Sequence, residues 1–164
     1  MLAAFASRGA GPLGRVYNGT PMLHMRPATR CCVLAPRLDE AVAVVRVLSG
    51  DQVSLAEALA RPQLHGLVIE GFGSGRIPSS WCDTLAAAVK RDLAVVLTSR
   101  TGAGAIGDPY GYDGSATSLL RLGLIPAHDL PAHKARLLLM LALGNGLRGE
   151  ELRTHFAAVA SASG

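Results

Sequence analysis

Between Gly66 and Trp81 an apolar run breaks into Gly71, Gly73 and Gly75 at alternate positions, followed by Arg76, Pro78 and a helix start. Glycines in such a turn take positive φ at no steric cost and bring main-chain N–H groups close to a ligand. Ser74 adds a hydroxyl, and Arg76 adds a planar charged fork suited to a carboxylate. Two readings stay open on these residues: a ligand-contacting turn, or a tight strand-to-helix turn with its arginine in solvent. A second loop, Gly102-Ala-Gly104-Ala-Ile-Gly107, spells a formal GxGxxG after another apolar run. A dinucleotide site needs a helix to open at once beneath the pyrophosphate. Asp108, Pro109, Gly111 and Gly114 forbid that helix, and no acid ends a following strand. This second loop reads instead as a subunit contact.

Nucleophilic chemistry would need more than these loops offer. Ser74, Thr98, Ser99 and Thr101 carry hydroxyls near run ends, but activation requires a base in hydrogen-bond reach and a third group to orient it. The only lysines are Lys90 and Lys134, and neither neighbourhood suggests such a base. Asp108 and Asp113 read as solvated loop carboxylates. Glu70 reads as partly buried and paired with an arginine, because a buried charge requires a partner. His24, His65, His128, His133 and His155 stand singly, so no metal-ligand spacing arises. Cys31 and Cys32 are adjacent and unsuited to bridge one another, and Cys82 lies in a helical pattern. No catalytic residue, no metal and no cofactor is expected on this chain.

Composition narrows the class further. Of 164 residues, 49% are hydrophobic and 17% charged, which excludes a disordered chain and suits a domain with a real core. The formal net charge of +4 raises nucleic-acid binding as a question. Arg8, Arg15, Arg26, Arg30, Arg37, Arg46 and Arg61 are scattered, and aromatic residues make up 4%, so the basic stripe and stacking platform are missing. No apolar run approaches a membrane span, and the opening MLAAFASRG is too short for a signal core. A reducing, cytoplasmic setting is the expectation.

The elements that must position the loops follow a regular order. Asn18-Gly19 between two short apolar segments predicts a β-hairpin, closed by Pro27 and lying against a larger body of structure. Residues 1–30 thus form a flexible lead and hairpin, and 31–164 a separate domain. Ala41–Val47 predicts a strand covered on both faces. A helix follows over Asp51–Ala60, then a strand at GLVIEGF, then a helix to Lys90 with Ser79 and Ser80 as N-caps and Trp81, Leu85, Ala88 and Val89 as its apolar stripe. Leu93–Arg100 predicts a third strand, and a short helix lies near Ser118, Leu119 and Leu122. Leu130-Pro131 opens a buried helix that Gly144 and Gly146 end. A last amphipathic helix carries Leu152, Phe156 and Val159 on one side. Strands alternating with helices predict an α/β, three-layer domain with a small parallel sheet, and both glycine loops then lie at strand carboxyl ends, where ligands gather.

Several separated blocks together resemble one family. FASRGAGPLGRVYNG, GLVIEGFGSGRIP, LAVVLTSRTGAGAIG and HKARLLLMLALG, in order from about Phe5 to Ala157, are similar to the C-terminal part of an L-asparaginase. The resemblance implies a three-layer α/β domain, a homotetramer of intimate dimers, and hydrolysis of asparagine to aspartate and ammonia. It also implies that the nucleophilic threonine belongs to a larger N-terminal domain, in TGGT and GTDT stretches that this chain lacks. The C-terminal domain then closes a neighbouring subunit's site, which assigns Gly73, Ser74, Gly75 and Arg76 to the substrate. The place of Arg76 is often an asparagine that helps hold the substrate's ammonium, and one cation is a poor partner for another. Arg76 therefore swings aside, contacts the α-carboxylate, or marks a lost function. The resemblance implies a domain inactive alone, or an assembly module completing a site in trans with a separate N-terminal half. A stand-alone enzyme using Ser74 or Thr101 ranks last. Surfaces left bare by the missing half predict a dimer or an aggregation-prone species.

Overall fold

The computed structural model describes residues 11–26, 32–102 and 104–162, with side chains to residue 159. The first ten residues of the lead, Pro27 and Cys31 lie outside the described residues.

The hairpin forms where the sequence places it. Strands β1 (Gly14–Tyr17) and β2 (Thr20–Leu23) pair antiparallel, with Tyr17 opposite Thr20. Asn18 and Gly19 between them take φ of 47° and 77°, the left-handed pair that a two-residue turn demands. Among the described residues nothing covers the hairpin's apolar side chains as the sequence reading expected. Val16 and Tyr17 are 72% and 67% exposed, and Met22 and Leu23 are exposed as well.

The main sheet consists of β3 (Val42–Arg46), β4 (Gly66–Gly71), β5 (Ala94–Ser99) and β6 (Ile125–Pro126), parallel and in that order. Three helical segments connect them: α1 (Ser54–Leu59), α2 (Cys82–Val89) and α3 (Ala116–Arg121). Helices α4 (Ala132–Gly144) and α5 (Gly149–Ala162) follow the last strand. Alternate residues of each strand feed two cores, as a period-two pattern requires. Ala43, Val45, Leu67, Ile69, Val95 and Leu97 meet Leu55, Trp81, Leu85 and Leu119 on one face. Val42, Val68, Val96 and Ile125 meet Leu139, Leu143, Leu152 and Phe156 on the other. These are the three layers, a parallel sheet between two sets of helices.

Four details depart from the sequence reading. Strand β3 is an edge strand and is not fully covered: Val44 is 40% exposed. Ser79 and Ser80 do not cap a helix. They form a single 3-10 turn, Ser79–Trp81, that begins after Pro78 and runs into α2 with no side-chain cap. Gly144 ends α4 as its last helical residue rather than as a left-handed stop, and a Cβ there would collide with the Arg37 carbonyl oxygen. Gly146, with φ of 81°, turns the chain after Asn145 caps the helix. The two-residue strand β6 had no sequence signal.

Candidate functional site

The carboxyl ends of β4 and β5 place both glycine loops side by side. The β4 strand runs into Phe72, whose main chain pairs with Arg76 across a five-residue turn. The Phe72 amide donates to the Arg76 carbonyl at 2.7 Å, and the Gly75 and Arg76 amides both donate to the Phe72 carbonyl at 2.9 Å. Gly75 has φ of 103°, and a Cβ there would press on Leu97 Cδ2 at 3.1 Å and Ile106 Cγ2 at 3.2 Å. Glycine at this position is a packing requirement as well as a conformational one. Gly73, with φ of 49°, has open space around its Cα and is exposed.

Three contacts fix the turn to the next strand end and loop. The buried Ser99 hydroxyl donates to the Gly73 carbonyl, and the Gly107 amide donates to the Ser74 carbonyl at 3.1 Å. Arg76 Nε donates to Asp108 Oδ2 at 3.1 Å, with the Arg76 guanidinium stacked 5.0 Å from the Tyr110 ring centroid. Asp108 is not the solvated carboxylate its loop suggested, since its side chain is 2% exposed. It accepts from the amides of Tyr110 at 3.2 Å and Ala116 at 3.4 Å as well. Burial pushes its pKa up, but the hydrogen bonds from Arg76 and from the Ala116 and Tyr110 amides outweigh burial and hold it below the usual carboxylate range. Asp113, in contrast, is exposed as expected. Arg76 is therefore held at Nε against Asp108.

The formal GxGxxG lies in the loop after β5, whose Gly107 end meets this turn. Irregular chain runs on to Ser115, which caps α3 by accepting from the Ser118 amide at 3.2 Å, so no helix opens behind Gly107. The pyrophosphate geometry is absent from the described residues of this loop.

Of the candidate hydroxyls, those of Thr98, Ser99 and Thr101 have structural employment. Thr98 donates to the Leu130 carbonyl at 2.6 Å and is 1% exposed. Ser99 Oγ, besides holding Gly73, lies 2.8 Å from Thr101 Oγ1. Neither Lys90, which caps the far end of α2, nor Lys134, in the first turn of α4, hydrogen-bonds to any of them. Glu70 accepts from Arg46 Nε at 2.6 Å, with side-chain exposures of 12% and 61%, the arginine pairing that its position implied. Sequence reasoning missed the roles of Ser99 and Asp108, whose partners lie 26 and 32 residues away. Among the described residues, no group of three or more His, Cys, Asp or Glu side chains is arranged to hold a metal ion. No described helix is long and apolar enough to cross a membrane.

Comparison with known proteins agrees with this architecture. Residues 41–156 match the family described as the Glutaminase/Asparaginase C-terminal domain. A probable L-asparaginase of Deinococcus radiodurans is 38% identical over 89% of this chain and 45% of its own length. L-asparaginase 2 of Escherichia coli is 33% identical over 87% of this chain and 41% of its own. A glutamyl-tRNA(Gln) amidotransferase subunit of Archaeoglobus fulgidus is 33% identical over 87% of this chain and 34% of its own. The chain thus spans about half or less of the length of these relatives. With the expected parallel sheet and the matched segment covering both glycine loops, the chain belongs to the asparaginase/glutaminase family, as its C-terminal domain.

Proposed function

We propose that this domain contributes the turn Gly71–Arg76 to an amidohydrolase site whose nucleophile comes from an N-terminal asparaginase domain. The observation that carries the reading is the turn itself. It lies at a strand carboxyl end with Gly73 exposed, and it is held from behind by Ser99, Gly107 and Asp108. Preorganisation of this kind suits a group that must meet a substrate held elsewhere. The hydroxyls of Thr98 and Ser99 are tied to main-chain carbonyls, which fits a domain without a reaction centre of its own. Gly73, Ser74 and Arg76 are the proposed substrate-facing residues, the buried Gly75 shaping the turn between them, and asparagine, converted to aspartate and ammonia, is the proposed substrate. Homo-oligomer contacts are part of this proposal, as is a reducing cytoplasmic setting, in keeping with the free thiols of Cys32 and Cys82.

A chimera tests it. The segment of the Deinococcus radiodurans relative that matches this chain is replaced by this chain, and ammonia release from asparagine is measured. The expected result is turnover by the chimera and none by the isolated domain. Hydrolysis by the isolated domain at the rate of an intact enzyme overturns the reading.

The second reading, an assembly module that completes a site in trans, draws on the hairpin. Residues 1–30 would be the interdomain connection, and the bare apolar side chains of Val16, Tyr17, Met22 and Leu23 would be covered by a separately encoded N-terminal half. Mixing the purified halves and following both association and ammonia release tests it, and failure to associate counts against it.

A further inference from the structure

Most carbonyls of the turn already accept a hydrogen bond, Gly75 being the exception among the described contacts. The carbonyls of Gly71, Phe72, Gly73, Ser74 and Arg76 are all taken, by the Arg100 amide, the Gly75 and Arg76 amides, the Ser99 hydroxyl, the Gly107 amide and the Phe72 amide respectively. The donors are not. Among the described residues, the amides of Gly73 and Ser74, the Ser74 hydroxyl and both Nη groups of Arg76 have no acceptor. Arg76 is 40% exposed, yet its guanidinium is held at Nε by a buried carboxylate and on one face by Tyr110. What remains to it is the Nη edge, the edge that takes a carboxylate.

We infer that this turn is a donor-rich recognition element for the carboxylate of a small-molecule ligand, with Arg76 as its specificity-determining residue. An ammonium group meets the like charge of Arg76 there, and most of the carbonyls that would receive it already accept a hydrogen bond. A carboxylate finds main-chain N–H groups, a hydroxyl and a guanidinium edge on one short segment. Asp108 is a positioning residue: it touches no ligand but fixes which edge of Arg76 is free. The inference rests on the proposed reading only in taking the turn to face a ligand, and it does not require hydrolysis.

The experiment uses the full chain, labelled with ¹⁵N, and succinate as the probe. The Gly73 and Ser74 amides and Arg76 Nε are followed during titration, with inorganic phosphate and 1,4-diaminobutane as parallel arms. The expected result is a saturable shift at these three groups with succinate and none with the diamine. Arg76→Ala weakens apparent succinate affinity roughly tenfold, the scale of a charge-assisted hydrogen bond, and Arg76→Lys recovers little because it lacks the fork. Unchanged resonances at Leu67 and Val96 show that the variants keep their fold. Shifts of equal size at Arg61 and Arg91, tighter binding of phosphate than of succinate, or undiminished affinity in Arg76→Ala each overturn the inference. So does an Arg76→Ala effect confined to docking of an N-terminal half. Succinate binding with an inactive chimera sinks the hydrolytic reading alone, and an active chimera without succinate binding sinks this one alone.

Discussion

The Ser99 side chain at the end of β5 donates to the main-chain carbonyl of Gly73 at the tip of the neighbouring turn. One hydroxyl thereby couples two adjacent strand ends, and the same oxygen receives the Thr101 amide at 3.1 Å. Ser99 is buried, so water cannot replace the bond it makes.

Ser99→Ala removes that donor and leaves the Gly73 carbonyl without its partner. The expected cost is about 1–2 kcal/mol of stability, and the loss of order should concentrate in the turn. Hydrogen exchange at the Gly75 and Arg76 amides is expected to accelerate more than exchange in β4. Equal acceleration across the sheet would show that Ser99 serves only the core.

Asp108 gives the domain a defined acid sensitivity. Its folded-state pKa lies below the ordinary carboxylate value because the Arg76, Ala116 and Tyr110 donors outweigh burial. The charged form is therefore favoured by folding. The resulting stability is fully present above the unfolded value of about 3.9, and is lost as pH falls through the lower folded value. Urea midpoints measured between pH 5 and pH 2 should fall for the native chain. Asp108→Asn should be less stable at pH 5 and show a shallower fall below pH 4; parallel curves would contradict the assignment.

Two glycines in the same turn should respond differently to alanine. Gly75→Ala meets both a φ of 103° and contacts at 3.1 Å and 3.2 Å with Leu97 and Ile106. A loss of about 2–4 kcal/mol is expected, combining backbone strain with overpacking. Gly73→Ala keeps a φ of 49° in open space and should cost only about 1 kcal/mol. Thermal unfolding of the two variants checks the order, and a reversed order would refute the described turn.

The hairpin separates folding from assembly. Val16 and Tyr17 are largely exposed, so Val16→Ser with Tyr17→Ser should change stability by no more than about 0.5 kcal/mol. The same change should reduce self-association in light scattering and weaken capture of an N-terminal half. A clean native monomer that the double variant leaves unaltered would remove the hairpin from any interface.

Much of the fold was legible in residue order. The β-branched and apolar runs at Val42–Arg46, Gly66–Gly71 and Ala94–Ser99 declared strands, and the Trp81, Leu85 and Ala88 spacing declared the face that α2 buries. The family was legible too, because its blocks keep their order along the chain. Strand β6 was not: two residues carry no periodicity, and Pro126 lacks an N–H to offer a ladder. The cap at Ser79 failed because Pro78 already sets the entry geometry there.

Local composition was enough to show where the chain turns, since glycine spacing and apolar periodicity act over a few residues. It did not reveal which way the turn's hydrogen bonds would face. Ser99 and Asp108 reach Gly73 and Arg76 across 26 and 32 residues, and only the parallel alignment of β4 with β5 brings them together. Burial then makes each contact costly to lose, so packing, not proximity in sequence, engages most of the turn's carbonyls and leaves several of its donors unpaired.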